Sequence, residues 1–504
     1  MNLALAHSRA RVGVHAPAVR VEVHLGGGLP NFTLVGLPAT AVRESRERVR
    51  SAICNGQFEF PQRRITVNLA PADLPKEGGR YDLAIALGLL AASGQLPVAA
   101  LGEVEVLGEL ALTGELKPVD GVLPAALAAA REGRPLVVPA ANAAEAALAA
   151  GGRAFAARTL LEVCAHLRGE ALLPPATADV AASPVRYPDL ADVRGQAAAR
   201  RALEVAAAGA HALLFIGPPG CGKTLLASRL PGLLPDPSEA EALETAAIHS
   251  VSGQGLDLAR WRQRPFRSPH HLASAVALVG GGGNPRPGEI SLAHHGVLFL
   301  DELAEWSRYA LDTLRQPLES GRVVISRAAR QSEFPARFQL VAAMNPCPCG
   351  WAGDPSGRCG CSAEAVARYR GKLSGPLLDR IDLQLAVPRL PPSELRPDGP
   401  PGESTATVRA RVLAARERQI RRAGMPNAQL DQATTERDCA LAPADRRLLE
   451  RAIDQLQLSA RALHRIQRVA RTLADLEGAD AIAMPHVAEA IGYRLLDRGA
   501  PGPG

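Results

Sequence analysis

The sequence has 504 residues, with 57 Lys and Arg against 51 Asp and Glu, and a formal net charge of +6. Its 47% hydrophobic content excludes a disordered chain, and its length suffices for about three domains with their own cores. The apolar runs are short and interrupted by Gly, Pro and Arg, and the N-terminus has no signal-peptide pattern. We therefore expect a cytoplasmic protein without a membrane partner.

Arginine supplies nearly all of the positive charge. Lysine occurs only at positions 76, 117, 223 and 372, and every other basic residue is arginine. This ratio is typical of GC-biased coding, and the net charge is mild for the length. Arginine contacts phosphates in forked pairs, but composition alone does not identify nucleic acid as a partner.

Residues 1–170 are predicted to form a mixed α/β unit. Short strand-like runs alternate with helical patterns in this region. The predicted strands are 19–25, 32–35, 64–69, 104–110 and 135–138, and the predicted helices are 39–55, 81–93, 123–132 and 143–149. The stretch 171–188 is rich in Pro and Ala without sustained periodicity, which predicts a linker.

Residues 189–395 are predicted to form a second unit, which carries a phosphate-binding motif. The sequence GPPGCGKT follows the apolar run 212–216 and precedes the helix former 225–230, the context that G-x-x-x-x-G-K-[ST] requires. Lys223 would place its charge between the β- and γ-phosphates, and Thr224 would offer a hydroxyl to Mg²⁺. The residues assigned to nucleotide binding are Gly217, Pro218, Pro219, Gly220, Cys221, Gly222, Lys223 and Thr224.

Two further strand patterns end in polar residues. The run 296–300 is followed by Asp301 and Glu302, and the run 337–344 is followed by Asn345. Parallel strands place such residues at the carboxyl edge of a sheet, beside the nucleotide. Asp301 is predicted to join the Mg²⁺ shell, Glu302 to polarise the attacking water, and Asn345 to orient that water. Glu302 predicts hydrolysis rather than binding alone.

Four of the eight cysteines fall in one short segment. Their spacing is C-x-C-x9-C-x-C, at Cys347, Cys349, Cys359 and Cys361. Four thiolates can close a tetrahedral Zn²⁺ site, and a cytosolic location disfavours disulfides. Reduced or redox-active thiols are the alternative. Beyond the Pro-rich break at 388–404, residues 396–504 are predicted to be wholly helical.

The motifs GPPGCGKT, GVLFLDE, VAAMNP and SGPLLDRIDL resemble those of AAA+ ATPases of the magnesium-chelatase-like group. Over essentially the whole chain, the sequence is similar to the ComM/YifB family. The resemblance implies an α/β fold: an AAA+ P-loop parallel sheet with an all-helical C-terminal lid, preceded by a separate α+β Lon-protease-like domain. It also implies ATP and Mg²⁺ as cofactors.

The same resemblance assigns roles to further residues. Asp301 and Glu302 correspond to the Walker B pair and Asn345 to the first sensor. Arg380 resembles an arginine finger that acts on a neighbouring subunit, which implies a homo-oligomeric ring, a hexamer in this group. Arg461 resembles the second sensor, and Val193 lies in a segment similar to one near adenine. A salt bridge of Arg380 with Asp379 or Asp382, and a solvated Arg461, remain the alternatives.

The stretch between Thr224 and Asp301 is longer than one helix and one strand need, which predicts an insert around 279–288. In related ATPases, such an insert and a hairpin before the first sensor project into the central pore. The hairpin would run from 322 to 338, with Arg327 and Arg330 as DNA phosphate contacts. An exposed hairpin with ordinary arginines is the alternative.

The Lon-like region lacks the residues for proteolysis. Lon-type cleavage needs a serine activated by a lysine, whereas the matching turn reads Gly78-Gly79-Arg80 and the stretch after Gly121 contains no lysine. The expected function is therefore an ATP-driven, ring-forming DNA motor for branch migration or unwinding during recombination of incoming DNA. The alternatives are a chelatase-like or chaperone-like remodeller of a protein and a scaffold with weak hydrolysis.

Overall fold

The computed structural model describes the chain except residues 1, 37–41, 43, 150, 179–186, 283–284, 328–329, 392–393, 395–401, 457–459, 495 and 497–504. At positions 327, 330, 456 and 460 it describes the backbone but not the side chain. Among the described helices, none is both long and apolar enough to span a bilayer.

The strands and helices are numbered here in chain order. The strands are β1 (Leu3–Arg9), β2 (Ala18–Gly26), β3 (Asn31–Val35), β4 (Arg64–Ala70), β5 (Glu105–Val106), β6 (Glu109–Leu110), β7 (Leu116–Lys117), β8 (Leu136–Pro139), β9 (Ala154–Ala157), β10 (Leu213–Ile216), β11 (Phe266–Arg267), β12 (Gly280–Gly281), β13 (Arg286–Pro287), β14 (Val297–Leu300), β15 (Arg322–Arg327), β16 (Arg330–Pro335), β17 (Gln339–Met344) and β18 (Leu383–Ala386). The helices are α1 (Ser45–Asn55), α2 (Asp82–Ala92), α3 (Val98–Gly102), α4 (Val122–Arg131), α5 (Ala143–Ala146), α6 (Leu160–Arg168), α7 (Ala197–Gly209), α8 (Lys223–Ala227), α9 (Leu230–Leu233), α10 (Glu239–Val251), α11 (Ala275–Val279), α12 (Glu289–Leu292), α13 (Arg308–Asp312), α14 (Arg315–Ser320), α15 (Ala363–Arg370), α16 (Gly375–Leu378), α17 (Thr405–Ala423), α18 (Gln432–Asp438), α19 (Pro443–Leu456), α20 (Ala460–Glu477) and α21 (Met484–Gly492).

The N-terminal region is built on a mixed seven-stranded sheet in the order β3-β4-β2-β1-β5-β8-β9. Every residue of α2 is buried, because this apolar helix packs on β1 and β2. In β2 the buried and more exposed side chains alternate, as the period of a strand with one covered face requires. The sheet therefore separates a closed core from solvent.

Several local predictions differ from the structure here. The predicted strand 104–110 is divided into β5 and β6, because the N–H of Gly108 bonds to the Arg80 carbonyl instead of continuing the sheet. Strands β1 and β9 and helix α6 were not predicted. The two strand sequences are short, alanine-rich or polar and give weak periodicity. Helix α6 is different: it buries residues 160, 163, 164 and 167 at helical spacing, and its Thr159 cap accepts the Glu162 N–H.

The second sheet is five-stranded and wholly parallel, in the order β11-β14-β17-β10-β18. Alternate residues of its inner strands enter two separate cores: Phe215 lies in one core and Leu214 in the other. Because both faces of the sheet are covered, the inner strands consist almost wholly of apolar residues. Strands β10, β14 and β17 therefore end at the same edge, where the chain turns polar.

The C-terminal region is helical, as predicted, and rests on the second sheet. Helices α17 and α20 pack against α7 in one hydrophobic core. The N–H of Gln384 in β18 also donates to the Tyr493 carbonyl at 2.7 Å, just beyond α21. The helical region is thus anchored directly to an edge strand.

Among the described residues, the contacts between the N-terminal region and the second unit include two close ones. At the first, the Gly121 N–H donates to the Ser250 carbonyl at 3.0 Å, and five apolar side chains form a shared cluster. They are Leu123, Leu148, Ala242, Ala246 and Trp261. At the second, Gly13 in the β1–β2 turn lies so close to the Glu333 carbonyl of β16 that a Cβ would be 2.8 Å away.

Candidate functional site

A cavity of about 370 Å³ lies at the carboxyl edge of the parallel sheet. The phosphate loop enters it from β10, and Gly222, with φ of +93°, turns the chain into α8. N–H groups at a helix start favour bound phosphate. The lining residues are Pro219, Gly220, Cys221, Gly222, Lys223, Thr224, Leu225, Asp301, Glu302, Met344 and Asn345. The structure therefore brings the residues predicted from three different strands into one cavity.

The Lys223 ammonium links the phosphate loop to the end of β17. It donates to the carbonyls of Gly217 at 2.7 Å and Pro218 at 2.9 Å, and to Asn345 Oδ1 at 3.2 Å. The lysine is 8% exposed, so its charge acts in a partly dehydrated setting. A buried cation held at this point attracts the phosphates of a nucleotide.

Thr224 and Asp301 form a pair of hard oxygen donors. The Thr224 hydroxyl donates to Asp301 Oδ2 at 2.7 Å, while Asp301 Oδ1 accepts the Glu302 N–H at 2.9 Å. Trp306 Nε1 donates to the Asp301 carbonyl at 3.0 Å and fixes the backbone there. Hydroxyl and carboxylate oxygens are the ligands that Mg²⁺ prefers. The donor set thus fits the predicted cation.

Glu302 has a partner to which the sequence analysis gave no role. Its carboxylate Oε2 lies 2.7 Å from His271 Nδ1, and its backbone is left-handed, with φ of +52°. The ring of His270 lies 4.2 Å from that of His271. His271 follows β11 and Glu302 follows β14. The two residues meet because β11 and β14 pair in the sheet. No local pattern in the sequence reports this pairing.

Arg380 lies away from its own chain's phosphate loop in the contacts that the structure describes. Its guanidinium donates to Glu319 and to the Pro376 carbonyl, and the residue is 8% exposed. Neither Asp379 nor Asp382, the partners considered from the sequence, accepts its hydrogen bonds. Asp382 instead accepts from Arg465, at 2.6 Å.

Two other predicted residues are not among those that line the cavity. Arg461 is exposed in the first turn of α20. Val193 is buried in the core beneath the phosphate loop, and nearby Gln196 donates through Nε2 to the Cys221 carbonyl at 3.4 Å and the Pro388 carbonyl at 2.7 Å. The segment around Val193 is therefore attached to the loop.

The predicted hairpin and insert are both present as antiparallel ribbons. Strands β15 and β16 pair from Arg322 with Pro335 to Arg327 with Arg330, and β12 pairs with β13. The side chains of Arg327 and Arg330 lie outside the described residues. In β13, Arg286 extends to Asp120 of the N-terminal region at 3.4 Å.

The cysteine cluster, Cys347, Cys349, Cys359 and Cys361, comes together in space. Its four sulfur atoms lie within 4.8 Å of one another, and three of the approaches measure 3.3, 3.7 and 3.8 Å. All eight cysteines of the chain are free thiols. The cluster directly follows Asn345, and so borders the nucleotide cavity.

Glu244, His294 and His295 form a second compact group, on the side where β14 begins. Glu244 Oε2 lies 3.2 Å from His294 Nε2 and 2.8 Å from His295 Nε2. His294 Nδ1 accepts the Arg337 N–H at 2.9 Å, so the neutral ring carries its proton on Nε2 and donates it to Glu244. Burial, together with the neighbouring His295, lowers the pKa of His294 to about 4. This ring is therefore a hydrogen-bond donor rather than a metal ligand.

Comparison with known proteins covers nearly the whole chain. Family models described as magnesium chelatase subunit ChlI match residues 189–395 and 21–142, and one for the ChlI C-terminal region matches 402–494. Competence protein ComM of Haemophilus influenzae is 54% identical over 99% of this chain and 98% of its own length. Protein YifB of Escherichia coli is 52% identical over 99% and 98%. Lon protease 2 of Bacillus subtilis is 26% identical over 32% of this chain and 34% of its own length.

Proposed function

The chain belongs to the magnesium-chelatase-like AAA+ family that includes ComM and YifB, and from this premise we propose that it hydrolyses ATP to move DNA. One observation carries the hydrolysis: Lys223, the Thr224–Asp301 pair, Glu302 and Asn345 border a single cavity at the end of a parallel sheet. Each group has a distinct task in phosphoryl transfer.

The proposed chemistry is attack of water on the γ-phosphate. Lys223 binds the β- and γ-phosphates, and Glu302 accepts the proton of the attacking water while Asn345 orients it. Thr224 and Asp301 would hold Mg²⁺, which supplies charge neutralisation on the phosphate oxygens. The cavity edge thus supplies electrostatic stabilisation and a base, the two contributions that this reaction needs most.

A complete site requires a second copy of the chain in this proposal. In the structure, Arg380 is paired with Glu319 and not with its own phosphate loop. We propose that Arg380 leaves Glu319 and reaches the γ-phosphate of a neighbouring subunit, with Arg461 approaching from the lid. Such an arrangement closes only in a ring, for which we propose a hexamer.

DNA is the proposed substrate of the motor. The support is the similarity to a competence protein, together with two ribbons, β12–β13 and β15–β16, that adjoin the ATPase core. We propose that Arg327 and Arg330 contact DNA phosphates, and that a cytoplasmic ring promotes branch migration or unwinding of incoming DNA during transformation. The cofactors of this proposal are ATP and Mg²⁺, with Zn²⁺ at the cysteine cluster as a structural metal.

The decisive experiment measures ATP hydrolysis with and without single-stranded and branched DNA, together with displacement of a labelled strand. Stimulation of hydrolysis and strand movement support the motor. If DNA neither binds nor stimulates hydrolysis at low ionic strength, where phosphate contacts are strongest, the DNA proposal fails.

A protein remodeller is the second candidate function. The matches to a magnesium chelatase subunit over 189–395 and 21–142 favour it. It predicts that ATP hydrolysis is indifferent to DNA. The same assay therefore separates the two candidates, while both require the same ATP site.

A further inference from the structure

The cysteine cluster lies directly beside the ATP site, and we propose that Zn²⁺ bound there fixes Asn345 and the phosphate loop in their working positions. The inference rests on the proposed ATPase function for its turnover experiment only. Metal binding itself is independent of that function.

The sulfur spacing matches a tetrahedral ion. Zn²⁺ with Zn–S bonds of about 2.3 Å has S–S edges of about 3.8 Å. The separations of Cys359 Sγ from Cys347 Sγ and Cys349 Sγ are 3.8 and 3.7 Å, and the Cys347–Cys349 separation is 3.3 Å. Cys361 completes a group within 4.8 Å. The four sulfurs are therefore placed to share one ion.

A backbone N–H group also faces the cluster. The Ala352 N–H donates to Cys347 Sγ at 3.2 Å. An N–H donor stabilises thiolate rather than thiol, and adjacent thiolates repel unless a cation joins them.

The connection that carries the cluster needs a constraint of its own. Between the end of β17 at Met344 and the start of α15 at Ala363, the chain forms no helix or strand. Connections of this length without secondary structure are uncommon in compact domains. Gly350, Gly353 and Gly357 have left-handed backbones that fold the loop back on itself. A four-coordinate ion closes this loop and substitutes for a hydrophobic core.

The same loop contacts the ATP site at two points. Asn345, whose Oδ1 accepts from Lys223 at 3.2 Å, is two residues before Cys347. Gly350, which follows Cys349, packs closely against the phosphate loop. A Cβ at this position would lie 2.8 Å from Pro219 Cδ and 3.8 Å from Asn345 Cγ. Movement of the cluster therefore displaces both sides of the nucleotide cavity.

The metal is tested on the purified full-length chain. We expect about one Zn²⁺ per chain by elemental analysis, and Co²⁺ replacement to give the absorption of a tetrahedral thiolate site. Cys359→Ser should lose the metal, whereas Cys54→Ser, at an exposed cysteine outside the cluster, should retain it. Four freely reactive thiols without metal, or disulfides in the cluster, would overturn the proposal.

The coupling between the cysteine cluster and the ATP site is tested in Glu302→Gln, a variant that is proposed to bind ATP without hydrolysing it. Because coupling between two binding free energies is reciprocal, Mg²⁺-ATP should raise the affinity of the chain for Zn²⁺, as measured by competition with a chelator at equilibrium. In the otherwise unchanged chain, Zn²⁺ removal or Cys359→Ser should lower kcat about 10–100-fold, the range seen when groups supporting a site are lost.

The outcomes separate the two proposals. The coupling is overturned if zinc is present, its affinity is the same with and without bound ATP, and the Zn²⁺-free chain retains full turnover. The proposed function alone is contradicted if the zinc-loaded chain binds ATP and gains zinc affinity but never hydrolyses ATP with or without DNA. Far-ultraviolet circular dichroism of Cys359→Ser verifies folding, and Gly350→Ala, which leaves all cysteines, should retain zinc but lose turnover.

Discussion

The carboxylate of Asp382 accepts a 2.6 Å hydrogen bond from Arg465, whose guanidinium also donates to the Arg380 carbonyl at 3.1 Å. Asp382 is buried and further accepts from His211 at 3.2 Å. Helix α20 is thus attached to the turn that carries the proposed arginine finger. The pair therefore links the position of the helical region to the backbone of Arg380.

Replacing Arg465 with Met should lower the free energy of unfolding by about 3–5 kcal/mol, because Asp382 would remain buried without its main cationic partner. Chemical denaturation with urea measures the change. Arg461→Met, at an exposed position on the same helix, is the matched control and should change stability by less than about 0.5 kcal/mol. Equal losses in the two variants would contradict the role of the pair.

Acid should weaken the fold through the same carboxylate. Burial alone would raise the pKa of Asp382, but the Arg465 charge and the hydrogen bonds from His211 and Arg465 hold it below its ordinary value. The folded-state pKa is depressed, so this stabilisation is complete above the unfolded pKa of about 3.9 and is lost as pH falls below it. As the pH is lowered from 6, the urea concentration at the midpoint of denaturation should therefore fall less steeply in Asp382→Asn than in the unchanged chain. Parallel slopes would refute this assignment.

Glu302→Gln should retain ATP binding and lose turnover. The amide keeps the size of the side chain but cannot accept a proton, and a positioned general base contributes about 10²–10⁴-fold. Binding of a fluorescent ATP analogue and phosphate release measure the two properties. Lys223→Ala is the contrasting variant, since it should abolish binding. Normal hydrolysis by Glu302→Gln would remove Glu302 from the mechanism.

His271 is predicted to be a positioning residue for Glu302. His271→Ala should lower kcat about tenfold with little change in KM, because the carboxylate loses the partner at 2.7 Å that holds its rotamer. His271→Asn, which keeps a donor near the same place, should recover part of the loss. Steady-state kinetics of both variants test this, and a rise in KM with unchanged kcat would instead indicate a role in nucleotide binding.

Arg380→Ala should reduce turnover about 10³–10⁵-fold if the side chain acts as an arginine finger. Mixing this variant with Glu302→Gln tests whether it acts between subunits. In a mixed ring, a chain with intact Glu302 can sit beside a chain with intact Arg380, so activity returns although each variant alone is inactive. Glu319→Gln should leave ATP binding unchanged. Absence of recovery in rings shown to be mixed would place Arg380 in its own chain's chemistry.

The sequence predicted the parts of the site that depend on local order. Lys223 and Thr224 lie in a contiguous motif, and Asp301 and Asn345 each follow an apolar strand, so the rule that parallel strands end at one edge brings them together. The pairings of His271 with Glu302, Arg380 with Glu319, and Arg465 with Asp382 join distant segments. These depend on strand order and helix packing, for which the local sequence carries no signal.

The close approach of Gly13 to the Glu333 carbonyl has a mechanical consequence. Strand β16 leads into β17, and Asn345 follows the far end of β17, so the ribbon β15–β16 is connected to the proposed ATP site through that strand while the N-terminal region contacts β16. Any movement of the ribbon in the proposed motor would have to carry the N-terminal region with it or break this contact. A side chain at position 13 would therefore change the resistance to such a movement without contacting the proposed ATP site.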